Sequence, residues 1–563
     1  MAELYHELWG VQESIIHTTT VTVPQLLYSL RPGYGVGPLQ ATDHQLTSPP
    51  FGTPDEELFQ ELKTRAKLPC RKNRLLVRPE FYIVRYHLEH AASQKWRTTD
   101  PEIQAPAWNA ILDYKVSGQP GSGKTFFLSY LLTQRLQLRQ PTVYRYADDN
   151  CRLFDQDSAG QLITAHDLFR LPAEKKRHLW ILTDEPLMNP AWEDKSHSWF
   201  VVLGASPALV KSSRQWEKDR NVGVYFLSSW RWSEMVAALR LGLGTRPTQD
   251  QLEKLYTSFV FLGPVARTCL ETISPISDEA YTCGLTAYLS AVNAQISTFV
   301  TQKGFLSVEN LVTQFSSHKI AIMHPTDGGL SYNSLIITRW IGHKIFERAH
   351  EQSAQACFML YKHLTQQAPL LSAASWFFEG YVHDLLKRGG QFIADEISLL
   401  PGKAQRLEFW IDGLKSTPLN YFTTASNLAQ LIRVEGGHGI QEDIIGKYYV
   451  PYSRTIESLD GLVCSDSKTL ILFKIQLGTD HHITAHSISV LLDALPLTLK
   501  HVQIVAIVPQ YGVGLGTGPQ SYPPPSSLRP RAPKFDMKQF CLVIQDEGTE
   551  PLGVGEGSRL YSG

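Results

Sequence analysis

The stretch of sequence that decides the fold is Gly118-Gln119-Pro120-Gly121-Ser122-Gly123-Lys124-Thr125. It matches the pattern GxxxxGK[ST], and we refer to it as the P-loop. Its glycines allow the backbone to wrap around an anion with amide N–H groups pointing inward, at the positive end of the following helix. The P-loop therefore predicts a nucleoside triphosphate site. Its candidate phosphate contacts are Gly118, Gly121, Ser122, Gly123 and Lys124, and the Thr125 hydroxyl is a candidate Mg²⁺ ligand.

Short apolar runs on both sides of the P-loop extend this prediction to a whole domain. The run Leu112–Val116 predicts the strand that enters the P-loop, and Phe126–Leu132 predicts the helix that leaves it. Further β-like runs alternate with helical patterns, which predicts an α/β domain over residues 100–290 with a largely parallel sheet. These runs are Thr142–Tyr146, Leu179–Thr183, Trp199–Gly204 and Val222–Leu227.

Two acids follow the second of these runs. Asp184 is placed to hold a Mg²⁺ ion, and Glu185 is placed to polarise an attacking water molecule. A buried strand with a polar end would give the same pattern without any chemistry, but its occurrence together with a P-loop favours the catalytic interpretation. The sequence thus predicts ATP and Mg²⁺ as cofactors of an NTP-hydrolysing domain.

One β-like run lies between the P-loop and the paired acids. This arrangement resembles the additional-strand, catalytic-glutamate class of P-loop NTPases, which includes AAA-type and STAND-type proteins. The resemblance implies that Ser206 senses the γ-phosphate. It also makes Arg220 a candidate arginine finger toward a neighbouring subunit and Arg267 a candidate nucleotide sensor on the lid side. For each arginine a surface ion pair or a helix cap is the alternative.

Composition narrows the class of protein but does not identify a partner. The 563 residues suggest two to four domains. Lys and Arg number 53 against 54 Asp and Glu, so the net charge of −1 does not by itself predict any partner. With 43% hydrophobic and 19% charged residues, a disordered chain is excluded. None of the seven cysteines forms a CxxC pair, which argues against a zinc knuckle, and we expect neither a secretory signal nor a membrane-spanning helix.

The pattern along the chain predicts five regions. Residues 1–99 are predicted to be a loop-rich accessory region, 100–290 the NTPase domain, and 291–370 a mainly helical lid or linker. Residues 371–546 are predicted to form a second α/β domain interrupted by a Gly/Pro-rich loop at 512–533, and 547–563 a flexible tail.

A basic segment at residues 63–85 has eight basic residues and one acid, Glu80. It could contact nucleic acid or act as a nuclear-import signal. The alternative is a solvated face in which Leu75, Leu76, Val77 and Ile83 form a strand, and we favour that interpretation because such patches are common on protein surfaces.

The second α/β domain contains a polar constellation among apolar runs. Glu379 lies on an apolar helical stretch, where an unpaired charge would be costly to bury. Asp460 ends one β-like run, and Lys474 and Gln476 occupy alternate positions on the next, which places the three on one face. Such a face can hold a divalent metal, with Glu379 and Asp460 as ligands, and activate water for phosphodiester cleavage.

This layout resembles the PD-(D/E)xK restriction-endonuclease-like fold. Joined to a P-loop NTPase, it is similar to the Crinkler and retrotransposon-hot-spot group over roughly residues 100–545. The resemblance implies an ATP-controlled, nuclease-like effector or selfish-element protein that engages DNA in a nucleus and could form a homo-oligomer. It also raises the question of secretion into a host cell, although a nuclear or cytoplasmic location is the direct expectation.

The chain departs from the nuclease pattern at one point. Where the pattern has Glu or Gln, any residue, and then Lys, this chain has Lys474-Ile475-Gln476. The long lysine side chain could reach the missing lysine's position, or the metal site could be lost. Three alternatives to cleavage therefore stay open: a nucleotide-switched module that binds DNA or protein, a buried ion network of Glu379, Asp460 and Lys474, and a STAND-like signalling NTPase.

Overall fold

Two compact units divide the chain in the computed structural model. Unit 1 comprises Met1–Gln25, Thr53–Ser290 and Phe315–Leu335, and unit 2 comprises Leu26–Gly52, Ala291–Gln314 and Ile336–Gly563. The structure describes residues 1–26, 51–98, 111–147, 150–185, 187, 192, 198–206, 210–301, 319–352, 361–362, 364–365, 371–397, 405–413, 420–422, 425–432, 440–451, 459–475, 495–496, 498–509 and 536–544.

The strands of the described residues are, in chain order, β1 (Ile16–Leu26), β2 (Phe51–Lys63), β3 (Arg74–Val77), β4 (Tyr114–Gly118), β5 (Thr142–Ala147), β6 (Asn150–Phe154), β7 (Ala159–Ile163), β8 (Trp180–Thr183), β9 (Phe200–Gly204), β10 (Gly223–Leu227), β11 (Ala321–Thr326), β12 (Ser331–Ile336), β13 (Gly390–Glu396), β14 (Arg406–Ile411), β15 (Asn420–Phe422), β16 (Tyr448–Pro451), β17 (Gly461–Cys464), β18 (Thr469–Ile475), β19 (His501–Pro509) and β20 (Asp536–Ile544). The helices are α1 (Ala2–Leu8), α2 (Pro79–Thr98), α3 (Lys124–Gln137), α4 (Ala165–Phe169), α5 (Ala173–Lys176), α6 (Val210–Asp219), α7 (Trp232–Leu243), α8 (Gln249–Leu262), α9 (Asp278–Thr301), α10 (Arg339–Gln352), α11 (Leu371–Arg388) and α12 (Ala425–Ile432).

The main sheet of unit 1 has the strand order β10-β4-β9-β8-β5-β6-β7. The first five strands pair in parallel, as predicted, and β6 and β7 continue the sheet antiparallel. Strands β4, β8 and β9 are buried along their whole length. This burial explains the near-continuous apolar sequence of β8 and β9, whereas β4 also buries Lys115 and Ser117. Neither β6 nor β7 was predicted. Strand β6 alternates exposed or half-buried positions with buried ones over its first four residues, and in β7 only Gly160 is buried. Both strands carry polar residues and lack an apolar run.

Helix α3 packs on this sheet and shares a core with the start of the chain. Its buried side chains include Phe127, Leu128, Leu131 and Leu132, spaced as one broad helix face requires. The same core cluster contains buried residues of α1, β3 and α2, among them Leu4, Leu8, Leu75, Val77, Phe81 and Leu88. The described part of residues 1–99 thus belongs to the unit that holds the P-loop, whereas the sequence predicts a separate loop-rich region.

The favoured interpretation of the basic segment is confirmed in part. Leu75, Leu76 and Val77 are buried in strand β3, which pairs antiparallel with β2. Ile83 instead lies in helix α2, where its side chain is 49% exposed. The basic segment therefore spans a strand and a helix, and its apolar residues serve two different elements.

The described residues of 291–370 include two strands where the sequence predicts a mainly helical region. Strands β11 and β12 form a two-stranded sheet joined by a turn at Asp327–Gly329. The β11–β12 hairpin packs beside β10, where the rings of Phe226 and Tyr332 lie 4.5 Å apart. The described helical segments of this region include the end of α9, up to Thr301, and helix α10, which follows the hairpin.

Unit 2 is built on an eight-stranded mixed sheet in the order β14-β13-β20-β19-β18-β17-β16-β15. The central strands β18, β19 and β20 pair in parallel, and β17 pairs antiparallel with β18. Helices α10 and α11 pack together through Phe346 and Phe377. The predicted loop at 512–533, the predicted tail and Gln476 lie outside the described residues. No described helix is long and apolar enough to cross a membrane.

Candidate functional site

The P-loop connects the end of β4 to the start of α3. Gly121 has a φ of +86°, and a Cβ at this position would lie 2.8 Å from Cγ1 of Val265 and 2.9 Å from Cβ of Arg267. Both the backbone conformation and the close approach therefore favour glycine. Helix α3 begins at Lys124, so its first amide groups have no partner within the helix and point toward the loop.

The Lys124 ammonium group lies over the P-loop backbone. Its Nζ donates hydrogen bonds to the carbonyl oxygens of Gly118, at 2.8 Å, and Gln119, at 2.9 Å. Burial and, as the smaller cause, the positive charge of Arg267 together lower the pKa of Lys124 to about 8. A bound polyanion would favour the charged form, because an opposite charge nearby raises the pKa of an ammonium group.

The predicted Mg²⁺ ligands meet at one edge of the main sheet. The Thr125 hydroxyl donates to Oδ2 of Asp184 at 3.0 Å, although the two residues are 59 positions apart in the chain. Asp184 directly follows β8, and β9 lies between β8 and the P-loop strand β4. A hydroxyl and a carboxylate are the hard oxygen ligands that Mg²⁺ prefers, so the residues present fit this ion.

Glu185 is held by hydrogen bonds to its backbone. Its N–H donates to the Thr183 hydroxyl at 3.1 Å, and its carbonyl accepts from Nη1 of Arg145 at 3.2 Å. Arg145 is itself buried and lies in the neighbouring strand β5. The position of the Glu185 backbone is thus fixed relative to Asp184.

Ser206 lies two residues after Gly204, the last residue of β9. A Cβ on Gly204 would lie 3.7 Å from Cβ of Lys124, so the end of β9 adjoins the start of α3. Ser206 is partly exposed. The structure therefore places this residue on the same sheet edge as Asp184, and its sensing role stays a prediction.

Arg267 begins a π-helical turn, Arg267–Thr272, that follows α8. Its Cβ and backbone N lie close to the position that a Gly121 side chain would take, and its charge acts on Lys124. Arg267 thus lies beside the P-loop, and its role as a nucleotide sensor on the lid side stays a prediction.

The interpretation of Arg220 as an arginine finger is wrong. Its side chain is fully buried, with Nε 2.6 Å from Oδ2 and Nη2 3.1 Å from Oδ1 of Asp113. Asp113 precedes β4 and Arg220 precedes β10, so the pair lies at the sheet edge opposite the P-loop. A guanidinium group that is wholly enclosed there cannot reach a neighbouring subunit.

The sequence did not single out two residues that contact the P-loop from outside. Arg78 donates from Nη1 to the carbonyl of Ser122 at 3.1 Å, and the indole N–H of Trp230 donates to the carbonyl of Gly121 at 3.0 Å. Arg78 lies in the basic segment directly after the apolar run of β3. That position was the available signal, since a basic residue next to a buried strand is a candidate for burial.

Gln119 also has a role that the motif does not specify. Its Nε2 donates to the carbonyl of Ala321 at 2.8 Å, and its Oε1 accepts from the N–H of Met323 at 3.3 Å. One side-chain amide thus bonds to the backbone of β11 as a neighbouring strand would. The β11–β12 hairpin is therefore attached directly to the P-loop.

In unit 2 the structure brings Asp460 and Lys474 together. Oδ2 of Asp460 lies 3.3 Å from Nζ of Lys474 and accepts the N–H of Ile475 at 2.7 Å. Both side chains are buried, at 4% and 7% exposure. The Asp460 carboxylate is thus paired with the Lys474 ammonium group. This contact is part of the buried ion network that the sequence offers as an alternative to a metal site.

Glu379 lies on helix α11 one turn before His383. Its Oε1 is 3.5 Å from Nε2 of His383, and Nδ1 of His383 is 2.7 Å from the Tyr448 hydroxyl. That hydroxyl lies against Gly461, the residue after Asp460, because a Cβ on Gly461 would approach it to 2.4 Å. Across the described residues, no three His, Cys, Asp or Glu side chains group as a metal site. The metal roles of Glu379 and Asp460 therefore stay predictions.

Comparison with known proteins adds little to this geometry. No family model matches the sequence, and no curated protein matches it. Among solved structures, the chain is similar to AMPPCP-bound DnaA from Aquifex aeolicus, with a TM-score of 0.25 and 10% identity. The match covers 53% of this chain and 88% of that one. A likeness this weak assigns no function, so the case for one rests on the chain's own residues.

Proposed function

We propose that unit 1 binds a nucleoside triphosphate, with ATP preferred, and hydrolyses it in the presence of Mg²⁺. The observation that carries this proposal is the 3.0 Å contact between the Thr125 hydroxyl and Asp184, beside a P-loop lysine. The position of β9 between β4 and β8 supports assignment to the additional-strand, catalytic-glutamate class.

Each residue has a separate task in this proposal. The P-loop amides and Lys124 bind the β- and γ-phosphates, while Thr125 and Asp184 hold a Mg²⁺ ion that neutralises phosphate charge when bound. Glu185 orients the attacking water and accepts its proton. Ser206 and Arg267 respond to the γ-phosphate from the β9 side and the α8 side.

The test separates binding from turnover. We expect Lys124→Ala to weaken ATP binding and abolish phosphate release, because the ammonium contact is lost. Glu185→Gln should keep ATP affinity within about threefold and lower kcat by roughly 100-fold or more, since only the proton acceptor is removed. Glu174→Gln, which changes an exposed glutamate of α5, is the matched control. Unchanged binding and turnover in Lys124→Ala would refute the proposal.

For unit 2 we propose a non-cleaving role, as a DNA- or protein-binding module switched by the nucleotide. The observation that favours it over the nuclease alternative is the buried Asp460–Lys474 ion pair, which occupies the carboxylate that a metal would need. The region at 371–546 would then keep a restriction-endonuclease-like fold without its metal chemistry.

A supercoiled-plasmid assay with Mg²⁺ or Mn²⁺, with and without ATP, distinguishes these roles. We expect no nicking by the wild-type protein under any of these conditions. Nicking that disappears in Asp460→Ala would instead establish the nuclease alternative.

A further inference from the structure

Arg78 is a buried cation held by two carboxylates. Its side chain is 2% exposed, and its Nε and Nη2 lie 3.1 Å and 3.2 Å from the two oxygens of Glu234. Glu80 lies 3.3 Å from Nη1. Because a buried charge is costly unless it is paired and hydrogen-bonded, this enclosure fixes the guanidinium group in one place.

From that place Arg78 donates to three backbone carbonyls. One belongs to Ser122 of the P-loop, at 3.1 Å, and the others belong to Ser228, at 3.1 Å, and Ser229, at 3.0 Å. The last two residues follow β10, the strand beside the P-loop strand. One planar side chain therefore ties the P-loop to the segment after the neighbouring strand, which a lysine could not do with the same geometry.

Trp230 continues this arrangement to the preceding P-loop residue. Its indole N–H donates to the carbonyl of Gly121 at 3.0 Å, and its ring lies under the Arg78 guanidinium group, 5.1 Å from the ring centroid. Its own backbone N–H donates to the carbonyl of Pro264 at 3.2 Å. Two consecutive P-loop carbonyls are thus each held by a buried donor outside the loop.

The direction of a carbonyl determines the direction of the next amide. The peptide unit is planar and trans, so a carbonyl that points toward Arg78 makes the following N–H point away from it. For Ser122 that next amide belongs to Gly123, at the start of α3. A phosphate-binding loop requires its amides on the concave side, and fixing the outward Ser122 carbonyl keeps the Gly123 amide there. The amide after the Gly121 carbonyl belongs to Ser122 and donates to the Gln119 carbonyl at 2.9 Å, so Trp230 holds the turn of the loop itself.

We propose that Arg78 and Trp230 are positioning residues that hold the P-loop in the shape that binds a polyphosphate. This inference rests on the proposed nucleotide site and adds a part of it that lies outside the motif, directly after β3 and after β10. It makes the segment between β3 and α2 part of the nucleotide site.

The test uses two substitutions in the full chain, each with a matched control. Trp230→Phe keeps an aromatic ring, although a smaller one, and removes the N–H. Trp232→Phe makes the same change away from the P-loop, where the indole N–H of Trp232 donates to the carbonyl of Pro24. Arg78→Lys keeps the positive charge and removes the planar, branched guanidinium group. Arg135→Lys makes the same change at the far end of α3, where Arg135 donates hydrogen bonds to Thr142 and Pro141.

Affinity for ATP and for inorganic tripolyphosphate is measured by calorimetry, together with the melting temperature. We expect Trp230→Phe to lose about tenfold and Arg78→Lys about tenfold to 100-fold in affinity for both ligands, since each removes one or more bonds that position the loop. The controls should bind both ligands within about threefold of the wild type, at melting temperatures lowered as much as those of the test variants. A purely structural role predicts instead that test and control variants lose affinity equally.

Two outcomes separate the proposals. If the wild-type protein binds neither ATP nor tripolyphosphate, the proposed function fails. If the wild type binds and both test variants bind as tightly as their controls, the positioning role of Arg78 and Trp230 is refuted while the nucleotide site stands. Should Arg78→Lys not fold, Trp230→Phe alone decides.

Discussion

Lys124 combines a lowered pKa with a position over a loop suited to a polyanion. With a pKa of about 8 in the free protein, this lysine titrates in an accessible pH range. Below pH 8 it is already protonated and contributes a constant amount to ATP affinity. Above pH 8 the free protein loses this proton while the bound form keeps it, because the phosphates raise the pKa.

We therefore expect the Lys124 contribution to ATP affinity to be constant below pH 8. Above pH 8 the affinity should fall, by up to about tenfold per pH unit. The measurement is the Kd of a non-hydrolysable ATP analogue from pH 7 to pH 10. Lys124→Arg is the control, because a guanidinium group stays charged over that range and its affinity should not decline. A parallel decline in both proteins would contradict the assignment to Lys124.

The buried Asp460–Lys474 pair leads to a second expectation at this scale. Lys474→Met leaves the Asp460 carboxylate buried without its cation, and we expect the free energy of unfolding to fall by about 3–5 kcal/mol. In Asp460→Asn/Lys474→Met both charges are removed, while the Asn oxygen can still accept the Ile475 N–H. The double variant should recover most of the loss in a denaturant titration. A double variant less stable than Lys474→Met would show that Asp460 and Lys474 are not each other's main partners.

Residues in the P-loop were predictable because their chemistry lies in consecutive positions. The contacts of Arg78 were not, since they join residues 44 and 156 positions apart. Arg220 was misinterpreted for a related reason. A residue that precedes a parallel strand lies at the amino edge of the sheet, whereas the P-loop lies at the carboxyl edge, and only the strand directions distinguish the two.

At the scale of elements, the strands beside the P-loop were predicted with shifted ends. The entering strand was expected at Leu112–Val116 and is found at Tyr114–Gly118. Apolar runs report burial, while strand ends depend on the partner that completes the hydrogen bonds. The β11–β12 hairpin was missed because its short runs acquire a strand conformation only by pairing with each other and lying beside β10.

The attachment of this hairpin to Gln119 is open to a direct test. Gln119→Ala removes both side-chain bonds to β11, and we expect the Met323 amide to exchange with solvent about fivefold to 30-fold faster. Hydrogen exchange of a peptide covering residues 320–326 measures the effect. Gln137→Ala, which removes bonds to the carbonyls of Val11 and Glu13, is the control and should leave that peptide unchanged. Equal exchange in the wild type and Gln119→Ala would exclude the attachment.

At the scale of the whole molecule, both α/β sheets were expected from the sequence, but the division of the chain was not. Unit 1 includes the start of the chain. It also includes Phe315–Leu335, which follows Ala291–Gln314 of unit 2. Burial of Leu75, Phe81 and Leu88 in the P-loop core explains the first of these findings. Composition alone could not reveal it, because turn residues in the first 60 positions resemble those of a separate leader.

A chain that starts at residue 100 tests this division. It lacks α1, β1–β3 and α2, and the apolar surface of α3 that they cover would become exposed. We expect this shortened protein to lose cooperative unfolding and ATP binding, as judged by thermal melting and calorimetry against the full chain. Wild-type ATP affinity in the shortened protein would show that residues 1–99 are accessory after all.

The bond between Gln119 and Ala321 also has a consequence for biosynthesis. The two residues are 202 positions apart, and ribosomes add about 5–20 residues per second, so roughly 10–40 seconds separate their synthesis. During that interval a nascent chain contains the P-loop but not strand β11, whose backbone later bonds to the side-chain amide of Gln119. Attachment of the P-loop to the hairpin is therefore expected to follow translation of the hairpin, and premature termination before residue 321 would leave the Gln119 side chain without these bonds.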